Sequence, residues 1–92
     1  MKIIWTNEAR NRLFEIEYYI AQDSPDTATA FVQKLIDRVK ILANFPNSGR
    51  KVPEFDSEDY RELIEGNYRI IYRTKKDVIE IETVFEGRRI LP

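Results

Sequence analysis

The segment from Tyr60 to Arg89 constrains the fold of this chain more than any other stretch. It contains a short and then two longer runs of β-branched and aromatic residues, separated by Gly66-Asn67 and Lys76-Asp77. Such runs favour strands, and the residues between them favour turns. We predict a three-stranded antiparallel meander with strands at about Tyr60–Ile64, Tyr68–Thr74 and Val78–Phe85.

Alternation gives the middle strand two chemically different faces. Successive side chains point to opposite sides of a strand, so Arg69 and Arg73 share one face. Tyr68, Ile70 and Tyr72 share the other face. We expect the aromatic and aliphatic face to be core and the cationic face to be the working surface.

The turn at Gly66 decides where Arg61 lies. A two-residue turn, Gly66-Asn67, places Arg61 opposite Tyr72 on the apolar face. A three-residue turn that includes Glu65 moves Arg61 to the face of Arg69 and Arg73. We favour the longer turn, because burying an unpaired arginine costs several kcal/mol while a bulged turn costs little.

The N-terminal half predicts one strand and two helices. Lys2–Trp5 is a short apolar run, and apolar residues at spacings of three and four predict a helix from about Asn7 to Gln22, capped by Thr6 or Asn7. Ser24 and Pro25 open a second helix, which must end near Asn44 because Pro46 follows. The fold class is therefore α+β: an N-terminal strand, an α-helical hairpin and the meander, in one domain spanning residues 1–92.

Two features of the chain leave alternatives open. Phe14 and Tyr18 lie four residues apart, away from the apolar stripe of the first helix. We favour the interpretation that they pack against the second helix. The alternative is an exposed pair of aromatic residues that docks a partner chain. The segment 46–59 is polar and has no periodicity. Its length makes it either functional or mobile.

Composition limits the chemistry. The 92 residues include no cysteine and no histidine, so thiolate, disulfide and imidazole chemistry are excluded, and the net charge of −1 shows no global basic bias. We expect no cofactor and no metal; Glu80 and Glu82 are interpreted as a solvated strand edge. No apolar run reaches the length of a membrane span and no leader is apparent, so we expect a cytoplasmic protein.

Short motifs along the chain, taken together in order, resemble the RelE/ParE superfamily of toxins from toxin–antitoxin operons, which are associated with plasmid stabilisation. The motifs are Trp5-Thr6, Ser24-Pro25, Pro46-Asn47-Ser48-Gly49-Arg50 with Val52-Pro53-Glu54, Arg61-Glu62, the run from Tyr68 to Arg73, and the run from Val84 to Arg89.

The RelE branch implies a ribosome-dependent mRNA endoribonuclease. By its position, Glu54 would be the carboxylate base and Arg69 the phosphate-binding arginine. Glu86 stands where many relatives carry a histidine, so it would have to act as the acid for the leaving oxygen. Arg88 and Arg89 nearby favour the ionised form of Glu86, which suits an acid poorly. The first meander strand carries Glu62 and Glu65, and an acidic strand repels RNA.

The ParE branch implies inhibition of DNA gyrase by binding, and the chain is more similar to this branch. It shares the Gly-Arg-x-Val-Pro-Glu loop and the Gly-Arg-Arg end, and lacks a complete acid–base set. The candidate target contacts are Arg50, Arg61, Arg69, Arg73, Arg88 and Arg89. We expect Arg69→Ala to relieve toxicity without unfolding the protein.

The resemblance also implies a cognate antitoxin. Basic positions suit an acidic antitoxin tail, and Phe14 with Tyr18, or exposed strand edges, suit its apolar residues. A third hypothesis is an antitoxin-binding homologue that has lost toxicity. Purely structural roles stay open as well: Glu54 could order the loop, and Arg61 or Arg69 could pair with Glu62, Glu80 or Glu82.

Overall fold

A computed structural model describes residues 1–87 of the chain. It confirms the α+β fold and adds a short strand to the prediction. The elements are β1 (Lys2–Trp5), α1 (Asn7–Ala21), α2 (Pro25–Val39), a 3-10 turn (Lys40–Ala43), β2 (Arg50–Lys51), β3 (Tyr60–Glu65), β4 (Tyr68–Thr74) and β5 (Val78–Glu86). The unpredicted strand is β2, which has only two residues and lies within the segment read as a loop.

The strands form one mixed sheet in the order β1-β5-β4-β3-β2. The meander β3-β4-β5 is antiparallel as predicted, and β1 pairs with β5 in parallel. Glu80 lies opposite Ile4 on one side and Arg73 on the other. The interpretation of Glu80 and Glu82 as part of an edge strand was therefore wrong for Glu80, because β1 covers that edge.

The helix starts follow the predicted caps. Thr6 Oγ1 accepts a hydrogen bond from the Ala9 N–H at 3.1 Å, and the same hydroxyl donates to the Ile81 carbonyl at 2.9 Å. Ser24 Oγ accepts from the Thr27 N–H at 3.3 Å. Side-chain oxygens thus satisfy free N–H groups at both helix starts, and Thr6 also fixes the start of α1 to β5.

The main core lies between the helical hairpin and one face of the sheet. Its fully buried members include Leu35 of α2 and Ile70, Tyr72 and Ile81 of the sheet. Tyr68 is half-buried and packs against this core, with its ring centroid 5.3 Å from that of Phe31. The apolar face of β4 is core, as predicted.

The hairpin turn between β3 and β4 is the two-residue turn, so the favoured register was wrong. Leu63 lies opposite Ile70 and Arg61 opposite Tyr72. Gly66 adopts φ 58°, a left-handed conformation that allows the tight turn at no steric cost. Arg61 is tolerated on that face because its Nη1 donates to the Gly49 carbonyl at 2.9 Å.

Phe14 and Tyr18 do not pack against α2, which corrects the favoured interpretation. Their exposed fractions are 68% and 74%, and the neighbouring Tyr19 is 71% exposed. The buried residues of α1, which are Ala9, Leu13 and Ile16, lie on the opposite side of the helix. In residues 1–87, neither helix has the length and apolar character needed to cross a membrane.

Candidate functional site

The sheet face turned away from the helices, called here the outer face, is covered by the loop 46–59. Val52 of that loop is 1% exposed and packs with Ile71 and Phe85, while Phe55 and Tyr60 pack against this cluster. Val52 is inserted because β2 brings the loop alongside β3. The predicted working surface is therefore largely a second, smaller core.

Arg69 lies at the centre of this outer face and is buried. Its side chain is 7% exposed, and Nη1 and Nη2 donate to the two carboxylate oxygens of Glu54 at 2.6 and 2.7 Å. Its Nε donates to Glu62 Oε1 at 2.7 Å, and its guanidinium lies 5.2 Å from the centroid of the Phe85 ring. Planar, two-pronged pairing of this kind is the strong form of a charge-assisted hydrogen bond.

Glu62 joins Arg69 to a second arginine. The Glu62 side chain is fully buried, and its Oε2 accepts from Arg50 Nε at 2.6 Å. Glu54, Arg69, Glu62 and Arg50 thus form an alternating chain of charges, called here the ion-pair network, whose formal charges cancel. The hydrogen bonds that Arg69 donates to Glu54, and then those to Glu62, raise the pKa of Arg69 against the opposing effect of burial.

Tyr72, on the helix side of the sheet, holds the beginning of the loop through its hydroxyl group. Its hydroxyl accepts from the Gly49 N–H at 3.0 Å and donates to the Pro46 carbonyl at 2.8 Å. Burial raises the pKa of this hydroxyl. A Cβ at residue 49 would lie 2.6 Å from the Glu62 carbonyl oxygen, so only glycine permits this close approach.

The predicted convergence of arginines on an exposed outer face is wrong. Arg61 lies on the helix side, Arg69 is internal, and Arg73 is half-buried with its guanidinium 5.3 Å from the Tyr60 ring centroid. Arg50 is the most open of the described candidates, with a side chain 61% exposed. The turn at Gly66 removes Arg61 from the set, and the loop covers Arg69. Arg88 and Arg89 lie outside the described residues.

The three positions assigned to nuclease chemistry do not form one site. Glu54 and Arg69 meet, but Glu86 lies opposite Tyr68 at the end of β5, while Arg69 lies opposite Phe85. Adjacent residues of a strand face opposite sides, so Glu86 and Arg69 are on different faces. Within residues 1–87, no group of three acidic side chains is placed to hold a metal ion.

Sequence reasoning missed two parts of this site. It offered Glu62 as a partner of Arg69 without placing Arg50 on the same carboxylate, and it treated Tyr72 as core without a role for its hydroxyl. A usable signal was present, because a buried tyrosine hydroxyl needs a hydrogen-bond partner and the polar loop was the available source.

The fold is a small α+β domain with two helices on one face of a mixed sheet. The chain belongs to the ParE toxin family, since residues 3–91 match the family described as "ParE toxin of type II toxin-antitoxin system, parDE". It is 39% identical over 93 residues to the "Putative toxin Y4kP" of Sinorhizobium fredii, covering 99% of this chain and 93% of that protein. It also resembles a chain of the solved structure "Chromosomal ParDE TA system from P. aeruginosa", with TM-score 0.78 and 27% identity over 94% and 95% of the two chains. The superfamily resemblance and its ParE branch are confirmed.

Proposed function

We propose that this chain is the toxin of a type II toxin–antitoxin system that inhibits DNA gyrase by binding, and that a cognate antitoxin neutralises it. Membership of the ParE toxin family supports the toxin assignment. The observation that carries the choice of binding over catalysis is the locking of Arg69 by Glu54 and Glu62.

Cutting RNA by its own 2′-hydroxyl requires a free base, a cation at the phosphate and an acid for the leaving oxygen. Both oxygens of Glu54 accept hydrogen bonds from Arg69, which occupies the candidate base. Arg69 is 5% exposed, so a phosphate has no access to its guanidinium. Glu86 is on the other face. These groups support a structural role for the network.

Arg50 and Arg73 are then the described arginines best placed to contact an anionic target. Arg50 reaches solvent from β2 while one nitrogen holds Glu62. The Arg73 guanidinium lies against Tyr60 at the rim of the loop, and no carboxylate of residues 1–87 forms an ion pair with it. In this proposal Arg69 shapes the surface that the two outer arginines present.

The exposed aromatic residues of α1 are the proposed first contact for the antitoxin. Phe14 and Tyr18 lie about one helical turn apart and are mostly exposed. Side chains of this size and exposure are enriched in protein interfaces, where they are buried by the partner.

The proposal is tested by expressing the chain in a bacterial host and following growth, DNA-damage signalling and mRNA integrity together. We expect growth arrest with DNA damage and intact transcripts, and stabilised cleaved-DNA complexes when purified protein is added to gyrase and plasmid. The double variant Arg50→Ala/Arg73→Ala should weaken both effects. Lys34→Ala, which removes an exposed charge on α2, serves as the matched control.

Two results would overturn the gyrase proposal. Cleaved transcripts without DNA damage would establish the endoribonuclease alternative, with the network opening on the ribosome. Normal growth at high expression, with the antitoxin still bound, would establish a homologue that has lost toxicity.

A further inference from the structure

Arg73 has chemically opposite neighbours on its two sides in the sheet. It lies opposite Tyr60 of β3 and opposite Glu80 of β5. Side chains directly opposed on neighbouring strands are close enough to interact, so the guanidinium can reach either an aromatic ring or a carboxylate. It lies 5.3 Å from the centroid of the Tyr60 ring. The arginine is therefore on the aromatic side.

The carboxylate side offers Arg73 a competing partner. The hydrogen bond from Lys75 and, as a smaller effect, the charge of Arg73 lower the pKa of Glu80. Lys75 Nζ lies 3.0 Å from Glu80 Oε1 and occupies that carboxylate. Within residues 1–87, Arg73 forms no ion pair with Glu80. Two features thus leave Arg73 unpaired, the ring on one side and the lysine on the other.

The ring that holds Arg73 is itself fixed by the loop 46–59. Tyr60 packs against the small core of the outer face. Its ring centroid lies 5.1 Å from that of Phe55, with an interplanar angle of 73° that is typical of edge-to-face packing. The Asp59 carbonyl, next to Tyr60 in the chain, accepts from the Thr74 N–H at 3.1 Å. The closed loop therefore determines where the ring lies.

A ring and a carboxylate leave an arginine with different binding capacity. A carboxylate cancels the charge of the guanidinium and accepts two of its N–H groups when the pair is two-pronged. An aromatic ring attracts the cation through its π face, and the charge is not cancelled. Held by Tyr60, Arg73 keeps its charge and its N–H donors for an anion outside the chain.

We propose that Tyr60 is a positioning residue for target binding: its ring holds the Arg73 guanidinium at the rim of the loop and away from Glu80, so that the arginine is free for an anionic group of the target. The identity of the target rests on the proposed function. Tyr60, and through it Phe55, then determine how well the target is bound although neither residue carries a charge.

The test measures stabilised cleaved-DNA complexes with purified protein, gyrase and plasmid. Tyr60→Leu should raise the protein concentration for the half-maximal effect by about 5-fold, because Arg73 turns to Glu80 when the ring is lost. The double variant Tyr60→Leu/Arg73→Ala should match Arg73→Ala alone, since the two residues act through one group. Tyr60→Phe keeps the ring and should restore wild-type potency.

Removing the competing carboxylate separates positioning from a loss of folding. Tyr60→Leu/Glu80→Gln should recover most of the wild-type potency, which a folding defect would not allow. Carbon NMR of the free protein gives a second measurement. The Glu80 carboxyl should titrate at lower pH in Tyr60→Leu than in the wild type or in Tyr60→Phe, because Arg73 then pairs with it. Melting curves check that each variant is folded, and Tyr60→Met replaces the leucine variant if that variant is not.

Full potency of the folded Tyr60→Leu variant, additive losses in the double variant, or no recovery with Glu80→Gln would each overturn this inference and leave the gyrase proposal in place. A wild-type chain without effect on gyrase would reject the proposed function. The NMR titration then decides the positioning role by itself, and an unchanged Glu80 titration in Tyr60→Leu would reject that role as well.

Discussion

Glu54 and Arg69 lie fifteen residues apart, and their side chains form a two-pronged ion pair with N–O distances of 2.6 and 2.7 Å. The carboxylate comes from the loop and the guanidinium from the middle of the sheet. The pair therefore joins the element that covers the outer face to the face itself. Because of this position, we expect the two residues to stabilise the fold rather than to contact a target directly.

Arg69→Ala is expected to destabilise the protein by about 3–5 kcal/mol, because it leaves the buried Glu62 carboxylate without its main partner. This replaces the sequence-based expectation of lost toxicity with an intact fold. Arg50→Ala, which removes the exposed partner of the same carboxylate, should cost less than about 1 kcal/mol. Urea unfolding of both variants measures these losses in the free energy of unfolding. Equally small losses in the two variants would show that the ion-pair network contributes little to stability.

Tyr72→Phe is expected to cost about 1–3 kcal/mol, since the variant leaves the buried Gly49 N–H without an acceptor. Amide exchange at residue 49 should accelerate more than exchange in β4. Tyr60→Phe is the control, because the Tyr60 hydroxyl makes no hydrogen bond with the described part of the chain. Unchanged protection at residue 49 in the Tyr72 variant would contradict the anchoring role.

The double variant Phe14→Ser/Tyr18→Ser should leave the melting temperature nearly unchanged, because both rings are already mostly in water. Its affinity for the antitoxin should fall at least 10-fold if the rings are interface anchors. Leu13→Ala, on the buried side of the same helix, should instead cost about 2–5 kcal/mol of stability. Calorimetry on each variant separates the two effects, and undiminished antitoxin affinity would exclude these rings from the interface.

Glu82→Gln should stabilise the protein at neutral pH. Burial, followed by the neighbouring Glu80, raises the pKa of Glu82 above its ordinary value. The folded state therefore binds this proton more tightly than the unfolded state, and wild-type stability falls as pH rises from the ordinary pKa of glutamate through the raised one. The gain from glutamine should disappear at pH values below that window. A gain that persists in acid would point to another cause.

The sequence by itself determined every α-helix and every strand except the two-residue strand β2, and the composition of the two faces of β4. Thr6 and Ser24 supplied the caps, and the period-two pattern around Tyr72 marked the core side of β4, because these signals depend on neighbours within a few residues. The family resemblance was also readable, since it rests on the order of short motifs along the chain.

Only the tertiary structure decided what the arginines do. The register of β3 against β4 depended on Gly66 adopting φ 58°, and this one choice moved Arg61 to the other face. The burial of Arg69 depended on the loop folding back over the sheet, which brings Glu54 to it across fifteen residues. Local patterns specify which residues of one strand share a side. They do not specify which distant segment covers that side, because that contact is formed only when the loop closes.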